Sequence, residues 1–215
     1  MSIRSALLPR LILASSSPYR RALLERLRIP FEVAAPSLDE TPHPGEAPAA
    51  TALRLAEAKA RAVAARATDT PDAPGTAGML VIGSDQVATF DGRQIGKPGG
   101  HEAALAQLKE MRGRTVEFHS ALTLFDAARD VVQIEDVVTR VRFRDLPQEE
   151  LEAYLLAETP YDVAGSAKAE GLGIALVDAI DSDDPTALVG LPLIALTRML
   201  RTAGYPLFGT ARGVQ

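Results

Sequence analysis

Leu11-Ile12-Leu13-Ala14-Ser15-Ser16-Ser17-Pro18-Tyr19-Arg20-Arg21-Ala22-Leu23-Leu24 is the stretch that decides the fold class. Its first four residues form a short apolar run, which reads as a buried strand. Ser17 followed by Pro18 is a helix start. A serine caps the first turn, and a proline at the first helical position gives up an N–H that has no partner there anyway. Leu23, Leu24 and Leu27 then supply a helical stripe to about Arg28. A strand that feeds a helix through a polar turn is an α/β unit. It aims free amides and the positive end of a helix dipole at one spot, which suits an anion. Arg20 and Arg21 add charge beside it, although a capped helix with surface arginines is the plainer reading of the spacing alone.

Outward from this unit, strands and helices alternate. Phe31–Ala35 reads as a strand and 36–50 as a Pro-rich loop. The alanine-rich stretch from about Ala49 to Arg66 reads as a helix and 67–78 as a surface loop. Met79–Ile82 reads as a buried strand ending in Gly83-Ser84-Asp85-Gln86, with Val87–Phe90 extended up to an Asp91-Gly92 turn. A loop at 96–100 precedes a helix from about Glu102 to Arg112, stopped by Gly113. Thr115–Phe125 and Val131–Arg144 form an antiparallel hairpin. Pro147–Ala157 reads as a helix, 158–173 as a glycine-punctuated loop and Ile174–Ile180 as a strand. Asp181–Thr186 is an acidic turn and Leu188–Ala203 a helix ended by Gly204. No repeat or linker divides the chain, so one mixed α/β domain over 1–215, with its core at about 11–204, is expected.

Composition narrows the chemistry. The 215 residues carry 23 basic and 28 acidic side chains, a net charge of −5 that argues against a general nucleic-acid binder. With no cysteine, a disulfide scaffold, an iron–sulfur cluster, a thiolate zinc site and a cysteine nucleophile are excluded. His43, His101 and His119 have no metal-ligand spacing. No apolar run approaches the ~20 residues that span a bilayer, and the N-terminal apolar stretch is too short for a secretory signal. A cytoplasmic protein without membrane or nucleic-acid partners is expected. Only four of the basic residues are lysine: Lys59, Lys97, Lys109 and Lys168. In a chain that uses arginine by default, each lysine is a candidate for a specific task, because a compact ammonium is not replaced by a guanidinium fork.

Six polar segments hold the candidates: Ser15–Arg20, Asp39-Glu40, Glu57 with Lys59, Gly83–Gln86, Gly96-Lys97-Pro98 and Gly165–Gly171. Each has an ordinary structural reading as a cap, a solvated acid pair, a salt-bridge face or a turn. Asp85 is the least ordinary, since carboxylates directly after buried strands are where α/β sites are built; it reads as a metal ligand, a general base or a turn former. Three of the four lysines fall in these segments. The set reads as acids for a divalent cation and cations for phosphates.

Taken in order, Leu11–Leu24, Asp39-Glu40-Thr41, Leu55-Ala56-Glu57-Ala58-Lys59-Ala60, Ile82–Val87, Gly96-Lys97-Pro98 and Gly190-Leu191-Pro192-Leu193 resemble the Maf family of nucleoside triphosphate pyrophosphatases, also called septum formation inhibitor-like proteins. The resemblance runs from about Leu11 to Gly204. It implies a Maf/ITPase-like α/β fold: a twisted mixed β-sheet flanked by helices, with two lobes around a deep cleft, often as a homodimer. It implies hydrolysis of a nucleoside triphosphate between the α and β phosphates with Mg²⁺ or Mn²⁺, which makes the protein a hydrolase acting on acid anhydrides. By the same likeness Asp85 is the catalytic acceptor and Glu40 the second acid, the two together holding the metal. Lys97 joins them in the catalytic set, and Ser15, Arg20, Lys59 and Lys97 contact phosphate.

The likeness also selects a branch. Tyr19, Gln86 and Glu170 resemble the branch that acts on 7-methyl-GTP and removes modified nucleotides from the pool, rather than the branch for dTTP and UTP. A carboxylate at Glu170 can accept from the guanine N1–H and N2–H₂ edge, which a pyrimidine lacks. An aromatic face at Tyr19 attracts a base made cationic by N7-methylation. A dTTP/UTP pyrophosphatase of the same family, or a nucleotide-binding regulator of cell division with incidental hydrolysis, are the alternatives.

Overall fold

The computed structural model describes residues 8–67 and 78–208; the expected loop at 67–78 and the N-terminal segment fall largely outside them. One seven-stranded sheet runs through the molecule in the order β2-β1-β3-β5-β6-β7, with β4 paired to the remaining edge of β3. Its strands are β1 (Arg10–Ala14), β2 (Glu32–Val33), β3 (Met79–Phe90), β4 (Arg93–Ile95), β5 (Thr115–Asp126), β6 (Val131–Phe143) and β7 (Val177–Asp181). β1 is parallel to β2 and β3, and every other pairing is antiparallel, so the sheet is mixed as expected. Among the described residues five helices flank it: α1 (Pro18–Glu25), α2 (Pro48–Ala67), α3 (His101–Met111), α4 (Gln148–Glu158) and α5 (Leu193–Thr202).

Alternation along β3 divides the interior. Met79, Val81 and Val87 face α2, packing with Ala52, Ala56, Ala60 and Val63. Gly83 lies on this side too. A Cβ there would stand 2.0 Å from the Ala56 carbonyl oxygen, so only glycine lets α2 lie this close to the strand. Leu80 and Ile82 face the other way and pack with α1 and α5; Ala88 and Phe90 share that face but pack with α3 and α4. This second face therefore carries two separate apolar clusters. Polar Ser84 and Gln86 lie on β3 between them. These are the two lobes, and the cleft opens where they part.

Three elements differ from the sequence reading. Gly83-Ser84-Asp85-Gln86 does not end a strand; β3 runs unbroken for 12 residues through it. The partner stops instead. β1 pairs with β3 only as far as Ala14 opposite Gly83, and β4 begins pairing at Ala88. Ser84–Val87 therefore face a gap in the sheet, bonded only to β5. At the C-terminal side, Leu172–Leu176 is a 3₁₀ turn and the strand begins at Val177; α5 begins at Leu193, because Pro192 cannot continue a helix from upstream.

Candidate active site

The gap beside β3 opens into a cleft of about 540 Å³. Ser15, Tyr19, Arg20, Glu40, Lys59, Asp85, Gln86, Lys97 and Glu170 all line it. The nine residues singled out from the sequence thus share one cavity, although they come from six separate parts of the chain.

Lys59 is at the centre. It is only 5% exposed, and Asp85 only 7%. The Lys59 Nζ donates to Asp85 Oδ1 at 2.6 Å and to Glu40 Oε2 at 2.9 Å. Helix α2 carries Lys59 one turn after Ala56, and the Gly83 contact sets its height above the strand, so backbone packing and site geometry are coupled. Burial pushes the Asp85 carboxyl above its ordinary value, opposed by the Lys59 ammonium and by Arg20, while Glu40 pushes the same way as burial.

The β1–α1 turn supplies the neighbouring wall. Ser15 is buried, and its Oγ accepts the Ser17 N–H at 3.1 Å; the Ser17 Oγ caps α1 by accepting the Arg20 N–H at 3.3 Å. These hydroxyls hold the turn and keep their own protons to donate. Arg20 Nε donates to the Gly190 carbonyl at 2.8 Å. Burial pulls Arg20 below the usual guanidinium value, and the Asp85 and Glu40 carboxylates resist that pull.

The turn before α5, which the sequence reads as the start of a helix from Leu188, fixes Arg20 and Gln86. Ser84 Oγ donates to the same Gly190 carbonyl at 2.9 Å. The Gln86 amide nitrogen lies 2.9 Å from Ser120 Oγ, 3.1 Å from the Ala187 carbonyl and 3.0 Å from the Leu188 carbonyl. Its nitrogen is therefore spent on the 187–190 turn, leaving its carbonyl oxygen for the cleft. Buried Asp184 anchors that turn: Oδ1 accepts from the Thr186 amide and hydroxyl, and Oδ2 accepts the Ile194 and Ala195 amides at the start of α5. Asp184 lies nine residues before α5, outside the usual capping distance, so the acidic turn carried no sequence signal for this role.

Across the cleft, Lys97 is exposed and has no ion pair among the described residues. Its loop is pinned by Gln107, whose Nε2 donates to the Gly96 carbonyl at 3.1 Å and whose Oε1 accepts the Ser166 hydroxyl at 2.6 Å. Gln107, which the sequence did not flag, thus ties the Lys97 loop to the Gly165–Gly171 loop. Glu170 stands exposed at the rim of that second loop; Tyr19 lines the same cleft, and Lys168 Nζ lies 5.5 Å from its ring centroid, at the hydroxyl end.

Lys59→Ala and Lys97→Ala are expected to lower kcat/KM for a nucleoside triphosphate by roughly 10- to 100-fold, the loss of a charge-assisted contact. Lys109→Ala, on the solvent side of α3, is expected to change it less than twofold. Equal losses in all three variants would contradict this division of the lysines.

The Pro-rich loop bearing Glu40 is held from behind by Glu46. Its carboxylate accepts both Arg54 Nε and Nη2, at 2.6 and 2.7 Å, as well as the His43 amide and the Thr51 hydroxyl. The Arg54 guanidinium, first among these, lowers Glu46 from 4.5 to about 2. A carboxyl lowered on folding stabilises the fold above its ordinary value and loses that contribution as pH falls from about 4.5 toward about 2. Thermal melts between pH 5 and pH 3 are expected to fall more steeply for wild type than for Glu46→Gln; parallel curves would contradict the pairing.

Among the described residues no cluster of three or more acids and histidines could enclose a metal by itself. The donor set still fits a hard divalent cation. Asp85 Oδ2 and Glu40 Oε1 carry no hydrogen bond among the described residues, while their other oxygens converge on one ammonium. Mg²⁺ is commonly held by one or two carboxylates, with phosphate oxygens and water completing the shell.

Residues 10–203 match the model of the family described as Maf-like protein. The chain is 77% identical over 205 residues to a protein of Burkholderia orbicola (strain AU 1054) named 7-methyl-GTP pyrophosphatase, covering 95% of both chains. It is 77% identical over 201 residues to a protein of the same name from Burkholderia thailandensis, covering 94% of this chain and 91% of that one. A further protein so named, from Ralstonia nicotianae, is 66% identical over 200 residues, 93% of this chain and 98% of its own.

Proposed function

The chain belongs to the Maf-like protein family, and on that premise we propose that it is a nucleoside triphosphate pyrophosphatase converting 7-methyl-GTP and water to 7-methyl-GMP and pyrophosphate. The observation that carries the reading is the convergence of Asp85 and Glu40 on the buried ammonium of Lys59, inside a cleft that also holds Arg20 and Lys97. The proteins named 7-methyl-GTP pyrophosphatase, up to 77% identical to this chain, support the substrate.

Hydrolysis of a polyphosphate needs three things: charge neutralisation, a held water and a sink for its proton. Lys59, Lys97 and Arg20 place positive charge along the cleft for the phosphate chain, and the Ser15 hydroxyl donates to a phosphate oxygen. Asp85 takes the proton of the attacking water. The α–β anhydride link breaks, water's oxygen is retained in the products, and pyrophosphate departs toward Lys97. Glu40 and Asp85 would hold a divalent cation, which when bound offsets phosphate charge. The enzyme acts in the cytoplasm on the free nucleotide pool. Among the described residues no helix is long and apolar enough to cross a membrane. A homodimer, the remaining part of this reading, is checked by sedimentation.

For the base, Tyr19 supplies a stacking face and Glu170 an acceptor for the guanine N1–H and N2–H₂ edge; the carbonyl of Gln86 lies deeper in the same cleft. Glu170 sits at an exposed rim, so losing it costs less than losing a buried carboxylate would. Glu170→Gln is expected to reduce kcat/KM for 7-methyl-GTP about tenfold while leaving UTP within twofold. An unchanged ratio between the two substrates would remove Glu170 from base reading.

A further inference from the structure

We propose that Ser166 and Gln107 are positioning residues for Lys97: a buried hydroxyl on the base-side loop, acting through one amide, sets where the phosphate-side ammonium stands. This rests on the pyrophosphatase reading above, in which Lys97 meets the departing pyrophosphate. Ser166 is fully buried, and its backbone is left-handed at φ +54°, directly after Gly165 at φ +75°. An L side chain rarely adopts that conformation, and it persists only where the surroundings hold it. The turn so held presents the Ser166 hydroxyl to helix α3, where it donates to Gln107 Oε1 at 2.6 Å.

The Gln107 amide uses both of its ends. With Oε1 taken by Ser166, Nε2 donates to the Gly96 carbonyl at 3.1 Å. Turned over, the amide would set its own oxygen against that carbonyl oxygen, so it has one orientation. Gly96 immediately precedes Lys97. On the other side, Pro98 restricts Lys97 to extended backbone, and the Gly99 amide donates to the Tyr161 carbonyl at 3.0 Å. Lys97 is thus an exposed side chain on a backbone pinned before and after it, and both pins lead to the 161–166 segment. With no ion pair among the described residues, its ammonium takes its aim from that backbone.

The two loops do not depend on each other equally. The base-side loop has anchors of its own: the Lys168 amide donates to the Tyr154 hydroxyl at 3.0 Å, and the Leu172 amide to Glu158 Oε2 at 2.8 Å. Losing the Gln107 link therefore releases Lys97 and leaves Glu170 in place. A nucleoside triphosphate feels that loss at its departing phosphates. A monophosphate has no pyrophosphate to meet Lys97 and does not.

The test is a double-variant cycle on kcat/KM for pyrophosphate release from 7-methyl-GTP, with the inhibition constant of 7-methyl-GMP read alongside. The variants are Gln107→Leu, Ser166→Gly and Lys97→Ala, and each of the first two combined with Lys97→Ala. Glycine takes the left-handed backbone without a Cβ, so Ser166→Gly removes the hydroxyl and keeps the turn. Gln107→Leu is expected to lower kcat/KM about tenfold and Ser166→Gly about fivefold, with the 7-methyl-GMP constant within about twofold of wild type in both. In the Lys97→Ala background the same substitutions are expected to change kcat/KM less than about twofold. Losses that persist in that background, losses that the 7-methyl-GMP constant shares, or no loss in Ser166→Gly would overturn the inference. If Gln107→Leu fails to fold, Ser166→Gly decides the matter alone. Should Lys97→Ala by itself leave kcat/KM unchanged, Lys97 is no phosphate contact, and the inference falls while the pyrophosphatase reading stands. A wild type that releases no pyrophosphate from any nucleoside triphosphate would bring down both.

Discussion

Asp85→Asn is expected to lower kcat by ~10²–10⁴-fold with the fold intact. The amide has the same shape, so the strand and its packing on α2 are undisturbed. What disappears is the negative charge that faces Lys59 at 2.6 Å and the basic oxygen beside it. Lys59 keeps Glu40 as a partner at 2.9 Å, so the buried ammonium is not stranded and the melting temperature stays within a few degrees of wild type. The paired readouts are kcat from pyrophosphate release and the thermal midpoint. Near-wild-type turnover in a folded variant would remove Asp85 from the chemistry. A collapse of the midpoint would show that its charge is chiefly structural.

Gly83→Ala acts on the same centre through the backbone. The new Cβ would lie 2.0 Å from the Ala56 carbonyl oxygen and 3.0 Å from the Ala60 nitrogen and Cβ. None of these is the end of a flexible side chain, so α2 must retreat from β3 by ~1 Å or more to reach an ordinary contact distance. Overpacking of this kind costs about 1–3 kcal/mol, several degrees of melting temperature in a chain of this size. The retreat also carries Lys59, one turn from Ala56, away from Asp85. A misplacement of ~1 Å in a catalytic group is expected to cost about 10²-fold in kcat. The two losses should appear together. A variant that melts early yet turns over normally would contradict the link between the Gly83 contact and the Lys59 position.

The strand–turn–helix start, the hairpin of β5 and β6, the mixed sheet and the cleft-lining residues were legible because each rests on local pattern or on a motif. Asp85 was legible as a site residue for a reason the structure revises. The sequence places it at a strand end, whereas β3 continues and its neighbour β1 ends. Hydrophobic periodicity reports the strand in hand and says nothing of where its partner stops. Ser84, Asp85 and Gln86 point alternately to opposite faces, so one short motif serves both the α2 side and the 187–190 turn; that division needs the register. Asp184 and Gln107 act through backbone groups far along the chain, and no local spacing marks them. Lysine scarcity pointed correctly to the cleft for Lys59, Lys97 and Lys168. It did not separate a buried centre from an exposed rim.

The most direct test of the central claim is kcat/KM for pyrophosphate release by the wild-type protein, with Mg²⁺ present, from 7-methyl-GTP, GTP, dTTP and UTP. The account predicts that 7-methyl-GTP is the best of the four, that the co-product is the nucleoside monophosphate, and that dTTP and UTP trail by at least tenfold. Preference for dTTP or UTP would contradict the base assignment while leaving the family chemistry in place. Release of orthophosphate and a diphosphate in place of pyrophosphate would contradict the chemistry itself.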